Sequence, residues 1–366
     1  MTPEEVRAAI PAFEDAAYMN WGASGPSPEP VLAATTDFVR YHETDGTVDE
    51  GPYRTAFGAF EDARERVAEF LGAPTDGVAL TQSTADGIAR VAASIDFEPG
   101  DTVVRTDCEH PAGVLPWWSL RRDGVEAEVL ETDAGRIDRE ELKEAVADAR
   151  LLVFNSVTWN YGTRTPTAEL VEIAHDAGCE VLVDAVQSPG QMPIDVEAWG
   201  ADYVAGAGHK WLTAPWGAGF LYVDPATAEG MEPAAAGYRS VAETGVEEPE
   251  LAAGARRFEV GTTNPAPYVG LEAAMDLVES VGLDTVQSRI ATLTDRLKEG
   301  LGDRLLSPRE YESGLVTFAA EEPDATVEAL EDAGVVVRSL PDPPAVRASV
   351  HAYNTAEDID RLLAAL

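Results

Sequence analysis

Between residues 78 and 223, short apolar runs alternate with stretches of helical spacing, and this alternation constrains the fold more than any single motif. Residues 78–81, 102–105, 125–130, 151–155, 181–184, 203–205 and 220–223 read as strands. Residues 84–94, 117–122, 140–149 and 168–177 read as helices between them. Apolar strands separated by helices predict an α/β fold with a mostly parallel sheet covered by helices. Ligands of such sheets bind beyond the carboxyl ends of the strands, so chemistry is expected in the residues that follow each run. From 267 to about 301 the spacing is that of one long helix, broken near Gly282. After it, strand-like 315–319, 335–338 and 347–351 and helix-like 326–332 and 355–366 describe a second unit of α+β character. The acidic stretch 243–254 reads as a surface loop.

Charge narrows the partners. The 366 residues hold 66 Asp and Glu against 26 Lys and Arg, a formal net charge of −40. Such a field repels nucleic acid and anionic membrane surfaces, so neither is an expected partner. It also repels itself in dilute buffer, and concentrated salt relieves that by screening, which predicts a halophilic protein. Cys108 and Cys179 form no disulfide framework and no CxxC pair. The first residues, MTPEEVRAAI, lack a basic and an apolar signal region. The uncharged stretch 211–223 is broken by Pro215, Gly217 and Gly219 and is too short to span a bilayer. A soluble, cytoplasmic protein is expected.

Four segments could carry chemistry. Lys210 lies between Gly208-His209 and Trp211-Leu212, just past a predicted buried strand. Burial disfavours an ammonium and leaves a neutral amine able to condense with a carbonyl. The alternative is a stem packed on Trp211 with its head in water. Lys143 and Lys298, the other two lysines, read as solvated on polar helix faces. Asp184 ends a strand three residues before Gln187; its carboxylate could hold a ring nitrogen protonated, bind a metal or simply cap a turn. Ser83 and Thr84 open a helix, which makes either an anion site or an ordinary N-cap. His110, in DCEHPAG, could stack on a planar ligand, shuttle protons or be structural. The chain has no G-x-G-x-x-G after a strand, no G-x-x-x-x-G-K-[ST], no H-E-x-x-H and no G-x-S-x-G. Dinucleotide, nucleotide and zinc-protease readings therefore lose their usual support, and no metal is expected.

Taken together, the run GHKWLTAPWGAGFLYV, preceded by EHPA and VDAVQ, resembles the class V aminotransferase family. These are fold-type I enzymes dependent on pyridoxal 5'-phosphate (PLP), and they include cysteine desulfurases and isopenicillin N epimerase-like proteins. The likeness runs from about Tyr18 to the C-terminus. It implies a large α/β domain at 15–270 with a mostly parallel seven-stranded sheet, and a small α+β domain from 1–14 and 271–366. It also implies a homodimer acting on an amino acid. The lysine matching Lys210 forms the internal aldimine with PLP in this family. Asp184 matches the residue that holds the pyridine nitrogen, Gln187 one that approaches the phenolic oxygen, and His110 one that stacks on the ring. Ser83, Thr84 and His209 match phosphate ligands, and Thr262 a residue that reaches the phosphate from the partner subunit. Arg347 matches the arginine that grips the substrate carboxylate, although a surface ion pair is its plainer reading. Lys210, His110 and Asp184 are thus the expected catalytic residues.

Departures from the family pattern sharpen the expectation. Ala207 stands where Ser or Thr is common, and Trp159 where desulfurases usually have Asn. The segment VVVRSLPDPPAV, upstream of Arg347, lacks the cysteine that receives sulfur in desulfurases. Transamination is the expected activity. Epimerase-like racemisation, or desulfurase- or selenocysteine lyase-like β-elimination without a cysteine relay, is the alternative.

Overall fold

The computed structural model describes residues 1–13 and 16–366. Among the described residues, twelve strands form three sheets: β1 (Ala17–Tyr18), β2 (Val78–Thr81), β3 (Thr102–Thr106), β4 (Glu126–Leu130), β5 (Leu151–Asn155), β6 (Glu180–Asp184), β7 (Tyr203–Ala207), β8 (Gly219–Val223), β9 (Leu315–Ala319), β10 (Val335–Val336), β11 (Arg338–Pro341) and β12 (Pro344–Ser349). The largest sheet has seven strands in the order β2-β8-β7-β6-β5-β3-β4. Its strands pair in parallel from β4 through β7, while β8 runs antiparallel to both β7 and β2. The direction of β2 therefore matches that of β7, and the carboxyl ends of β2, β3, β5, β6 and β7 share one edge.

Alternate residues of each strand serve opposite faces. Val104, Leu152, Phe154, Val183 and Phe220 pack in one cluster with Phe60, Val67 and Leu271. Val103, Leu151, Val153, Leu182 and Leu221 pack in another with Ile88, Val91 and Trp117. The two-sided burial explains the continuous apolar runs. At the sheet edge, β4 is exposed along most of its length and carries Glu126 and Glu128, which discourage pairing with another chain.

Two long helices went unread in the sequence, Glu29–Tyr41 and Pro52–Leu71. The second buries Thr55, Ala59, Phe60, Ala63, Arg64, Val67, Ala68, Phe70 and Leu71. These positions recur at helical spacing, and the face mixes alanines, Thr55 and Arg64 with large apolar residues. Residues 267–301 form two helices, Ala266–Val281 and Leu283–Leu301, and the break falls at Gly282. The acidic stretch at 243–250 is exposed.

The remaining strands form a three-stranded antiparallel sheet, β11-β12-β9, and the parallel pair β1-β10. The predicted strand 335–338 is two strands: Val335 and Val336 pair with β1, whereas Arg338 begins a hairpin with β12. That hairpin also starts the last strand at Pro344 rather than Arg347. Ala17, Met19, Leu297, Val316, Phe318, Val346 and Leu362 share one core. The expected domain boundary at 14/15 falls on Glu14 and Asp15, which lie outside the described residues.

One lysine reading is corrected. Lys143 is exposed and pairs with Glu140 at 2.6 Å. Lys298 is buried, and its Nζ donates to the Glu310 carbonyl at 2.8 Å. The helix Leu283–Leu301 turns this position inward, and the long stem lets the ammonium reach a backbone acceptor. Among the described residues no helix is long and apolar enough to cross a membrane.

Candidate active site

Along the shared edge lies a cavity of about 460 Å³. Every site residue named from the sequence lines it except Thr262: Ser83 and Thr84 follow β2, His110 follows β3, Asp184 ends β6, Gln187 follows it, His209 and Lys210 follow β7, and Arg347 comes from β12. Thr262 is exposed outside the cavity, with its hydroxyl 2.6 Å from that of Tyr238.

Lys210 sits in a tight turn. Thr213 N–H donates to the Lys210 carbonyl at 3.0 Å, and Gly25 N–H donates to the His209 carbonyl at 2.7 Å. A Cβ on Gly25 would lie 2.1 Å from the Lys210 carbonyl oxygen, so only glycine permits this approach. Burial pushes the Lys210 amine down to about 8; Asp184 opposes this, and Arg347 and Arg338 add to it. Lys210 is half-buried and lines the cavity, so its side chain is neither sealed in the core nor spread on the outer surface.

Asp184 is buried, with Oδ1 accepting from Val186 N–H at 3.0 Å. Burial raises its pKa, against the Val186 hydrogen bond and the Lys210 charge. Ser83 Oγ caps the helix Thr84–Ser94 through Asp86 N–H at 3.1 Å, so the N-cap reading holds for Ser83. The neighbouring Thr84 hydroxyl is buried and has no partner.

His110 Nδ1 accepts from Ala112 N–H at 3.2 Å, and burial holds the ring's pKa down to about 4, with Lys210, Arg338 and Arg347 adding to the effect. The neutral ring therefore carries its proton on Nε2. Its edge meets Trp159, with centroids 5.4 Å apart. His209 is also held to about 4, by burial and then Lys210, and lies 4.7 Å from the Trp216 ring. Gln187 is largely committed within the chain. Its Nε2 donates to the Gly22 carbonyl at 3.0 Å and its Oε1 accepts from Trp211 Nε1 at 2.8 Å, leaving one N–H for a ligand.

Arg347 is no surface ion pair. It is fully buried, donates from Nη1 to the Trp159 carbonyl at 2.6 Å, and leaves Nε and Nη2 without partners. Burial first, then Arg338, lowers its pKa to about 9. Gly22 packs against this edge, and a Cβ there would stand 3.0 Å from Nη2 and 2.9 Å from Ser349 Oγ.

Three contributors were missed in the sequence: the Gly22–Ala23–Ser24 turn, Trp216 and Arg338. A signal for Arg338 existed. Residues 338 and 347 lie equally far from the PDPP turn, so a hairpin there sets them opposite each other.

The Aminotransferase class-V family model matches residues 17–362. A probable cysteine desulfurase of Methanothermobacter thermautotrophicus is 32% identical over 388 residues, spanning 99% of this chain and 96% of the relative. This chain belongs to the class V aminotransferase family. Membership makes it an enzyme of a PLP-dependent kind. Two solved structures superpose closely on this class V fold. The apo cysteine desulfurase of Thermococcus onnurineus NA1 has a TM-score of 0.92 and 29% identity, covering 100% of this chain and 97% of that one. A mutant of C-DES, described with glycine covalently linked to its PLP cofactor, has a TM-score of 0.92 and 28% identity over 98% of each chain.

The class V site has a donor set suited to PLP. The unpartnered Thr84 hydroxyl at a helix N-terminus suits a phosphate. A buried carboxylate suits a protonated ring nitrogen, and a half-buried amine of lowered pKa suits an aldehyde. Ala207, buried in β7, offers no hydroxyl where the family commonly has one.

Proposed function

We propose that this chain binds PLP at Lys210 and moves the Cα proton of an amino acid, with transamination as the overall reaction. The observation that carries this reading is the convergence of the Lys210 amine, the Asp184 carboxylate and the unpartnered edge of Arg347 on one cavity. When bound, PLP supplies a carbonyl that condenses with amines and a ring that takes up the electron pair left at Cα.

The chain's own residues do the rest. Ser83, Thr84, His209 and the N–H groups opening the helix Thr84–Ser94 would hold the phosphate. Asp184 would keep a proton on the ring nitrogen, and His110 would pack against the ring with Gln187 beside it. Lys210, with its pKa near 8, has a substantial neutral fraction close to neutral pH, so its Nζ can accept the Cα proton and return it. The Nε and Nη2 edge of Arg347 would grip the α-carboxylate through two parallel hydrogen bonds. That grip orients Cα toward Lys210 before any proton moves. Trp159 and Trp216 line the same cavity. Thr262, exposed and outside its own cavity, would serve the phosphate site of a second copy in a homodimer. A salt-rich cytoplasm fits the charge of −40.

A second reading is β-elimination from cysteine, favoured by relatives that bear the name cysteine desulfurase. It would run without a thiol relay, since Cys108 and Cys179 are buried and burial pushes both thiols up to about 12. The test has two stages. PLP-loaded protein is first reduced with borohydride and digested, and an adduct on the peptide containing Lys210 is expected; none there refutes the proposal. Amino acids are then added in molar salt without an amino acceptor. One equivalent of 2-oxo acid per site means transamination, whereas continuous release of pyruvate and ammonia from cysteine means elimination.

A further inference from the structure

Arg338 and Arg347 are direct cross-strand partners in the β11–β12 hairpin, and both line the cavity. Side chains in that relation share a face of the sheet, and like charges there destabilise the pair. Asp184 is the one carboxylate among the cavity's lining residues, and it faces Lys210. Elsewhere, buried arginines meet a carboxylate or several carbonyls of the chain, although Arg64 Nη2 is left without a hydrogen-bond partner. Arg64 and Arg239 converge on Glu259, and Arg257 donates to the carbonyls of Ala252, Ala228 and Met231. Arg347 has a single carbonyl partner, and Arg338 has a marginal 3.4 Å contact from Nε to the Ser339 carbonyl. In a chain with 66 acidic residues, neither arginine of this pair forms a salt bridge among the described residues. Its repulsion is offset once a ligand supplies negative charge.

One carboxylate does not use both residues fully. The free Nε and Nη2 edge of Arg347 already matches the two oxygens of one carboxylate. Arg338 is half-buried and meets a different part of residue 159: Arg347 binds the Trp159 carbonyl, whereas the Arg338 guanidinium lies 5.8 Å from the Trp159 ring centroid. The two heads thus meet different parts of Trp159, and Arg347 is the more deeply buried of the two.

We infer that the substrate is an amino acid with an acidic side chain, its α-carboxylate held by Arg347 and its second anionic group by Arg338. This rests on the reading that the cavity takes an amino acid, and it adds the class. Arg338 is then the specificity-determining residue.

Calorimetric titration in molar potassium chloride tests the assignment without turnover. PLP-loaded and PLP-free protein are each titrated with succinate and glutarate, and with propionate and butyrate of matching length. Dicarboxylates should bind at least about tenfold more tightly than their monocarboxylate counterparts, and Arg338→Gln should bring that ratio close to one. In parallel, L-aspartate or L-glutamate should exceed L-alanine in kcat/KM by about 100-fold, a preference that Arg338→Gln removes. Equal binding of both ligand classes by the unaltered protein overturns the inference. So does an equal loss for both in Arg338→Gln, since that means two arginines on a single carboxylate. Missing Lys210 adduct alongside intact dicarboxylate selectivity would defeat the cofactor reading alone.

Discussion

Replacing Gly25 with alanine inserts a methyl group 2.1 Å from the carbonyl oxygen of Lys210. Real Cβ atoms essentially never come closer than 3.0 Å to a heavy atom, so the two backbones must part by at least about 0.9 Å. Neither side can yield cheaply. Gly25 N–H is bonded to the His209 carbonyl at 2.7 Å, and the Lys210 carbonyl accepts from Thr213 N–H. The displacement therefore passes into the turn that carries the Lys210 amine. A misplacement of about 1 Å at a reacting group costs roughly 100-fold in rate, or about 2.7 kcal/mol of activation energy. Gly25→Ala should lower the single-turnover rate with an amino-acid donor by that order, and it should slow PLP attachment as well. The matched control is Gly58→Ala, inside the helix Pro52–Leu71, where an added Cβ meets nothing within 4 Å. That change should leave the rate alone and stabilise the fold by up to about 1 kcal/mol through helix propensity. Unaltered kinetics and an unaltered melting temperature in Gly25→Ala would refute the claim that this contact positions Lys210.

Two further outcomes follow from charge. PLP attachment requires the neutral amine, and burial holds Lys210 to about 8, so the attachment rate should rise with pH and level off above about 8. A rise that continues toward the ordinary lysine value of 10.5 would contradict the burial argument. Because the Asp184 charge favours the ammonium, Asp184→Asn should move the midpoint lower. The charge of −40 predicts a melting temperature that climbs from dilute to molar potassium chloride, and a flat response would end the halophilic reading.

The strands were legible because most are buried on both faces, which writes itself into the chain as uninterrupted apolar runs. The site was legible where one residue suffices to announce it: a lysine in a chain that has three, or an aspartate closing an apolar strand. Helix Glu29–Tyr41 buries Val31 alone and leaves Leu32, Val39 and Tyr41 exposed, so its apolar residues mark no core face, and in Pro52–Leu71 the buried face includes Thr55 and Arg64. Lys298 escaped because the side on which a helix is covered depends on what packs there, here the segment carrying Glu310.

The amino-acid order alone was enough to determine the alternation of strand and helix, the residues that end each strand, and the sign of the overall field. Those are properties of local period and composition. Tertiary structure decided which side chains lose water and which find partners: the stranded edge of Arg347, the placement of Arg338 opposite it, and the crowding that Gly25 alone relieves. Burial and pairing depend on elements distant in the chain closing against one another, and the energy of a charge is set by that closure rather than by its neighbours in sequence.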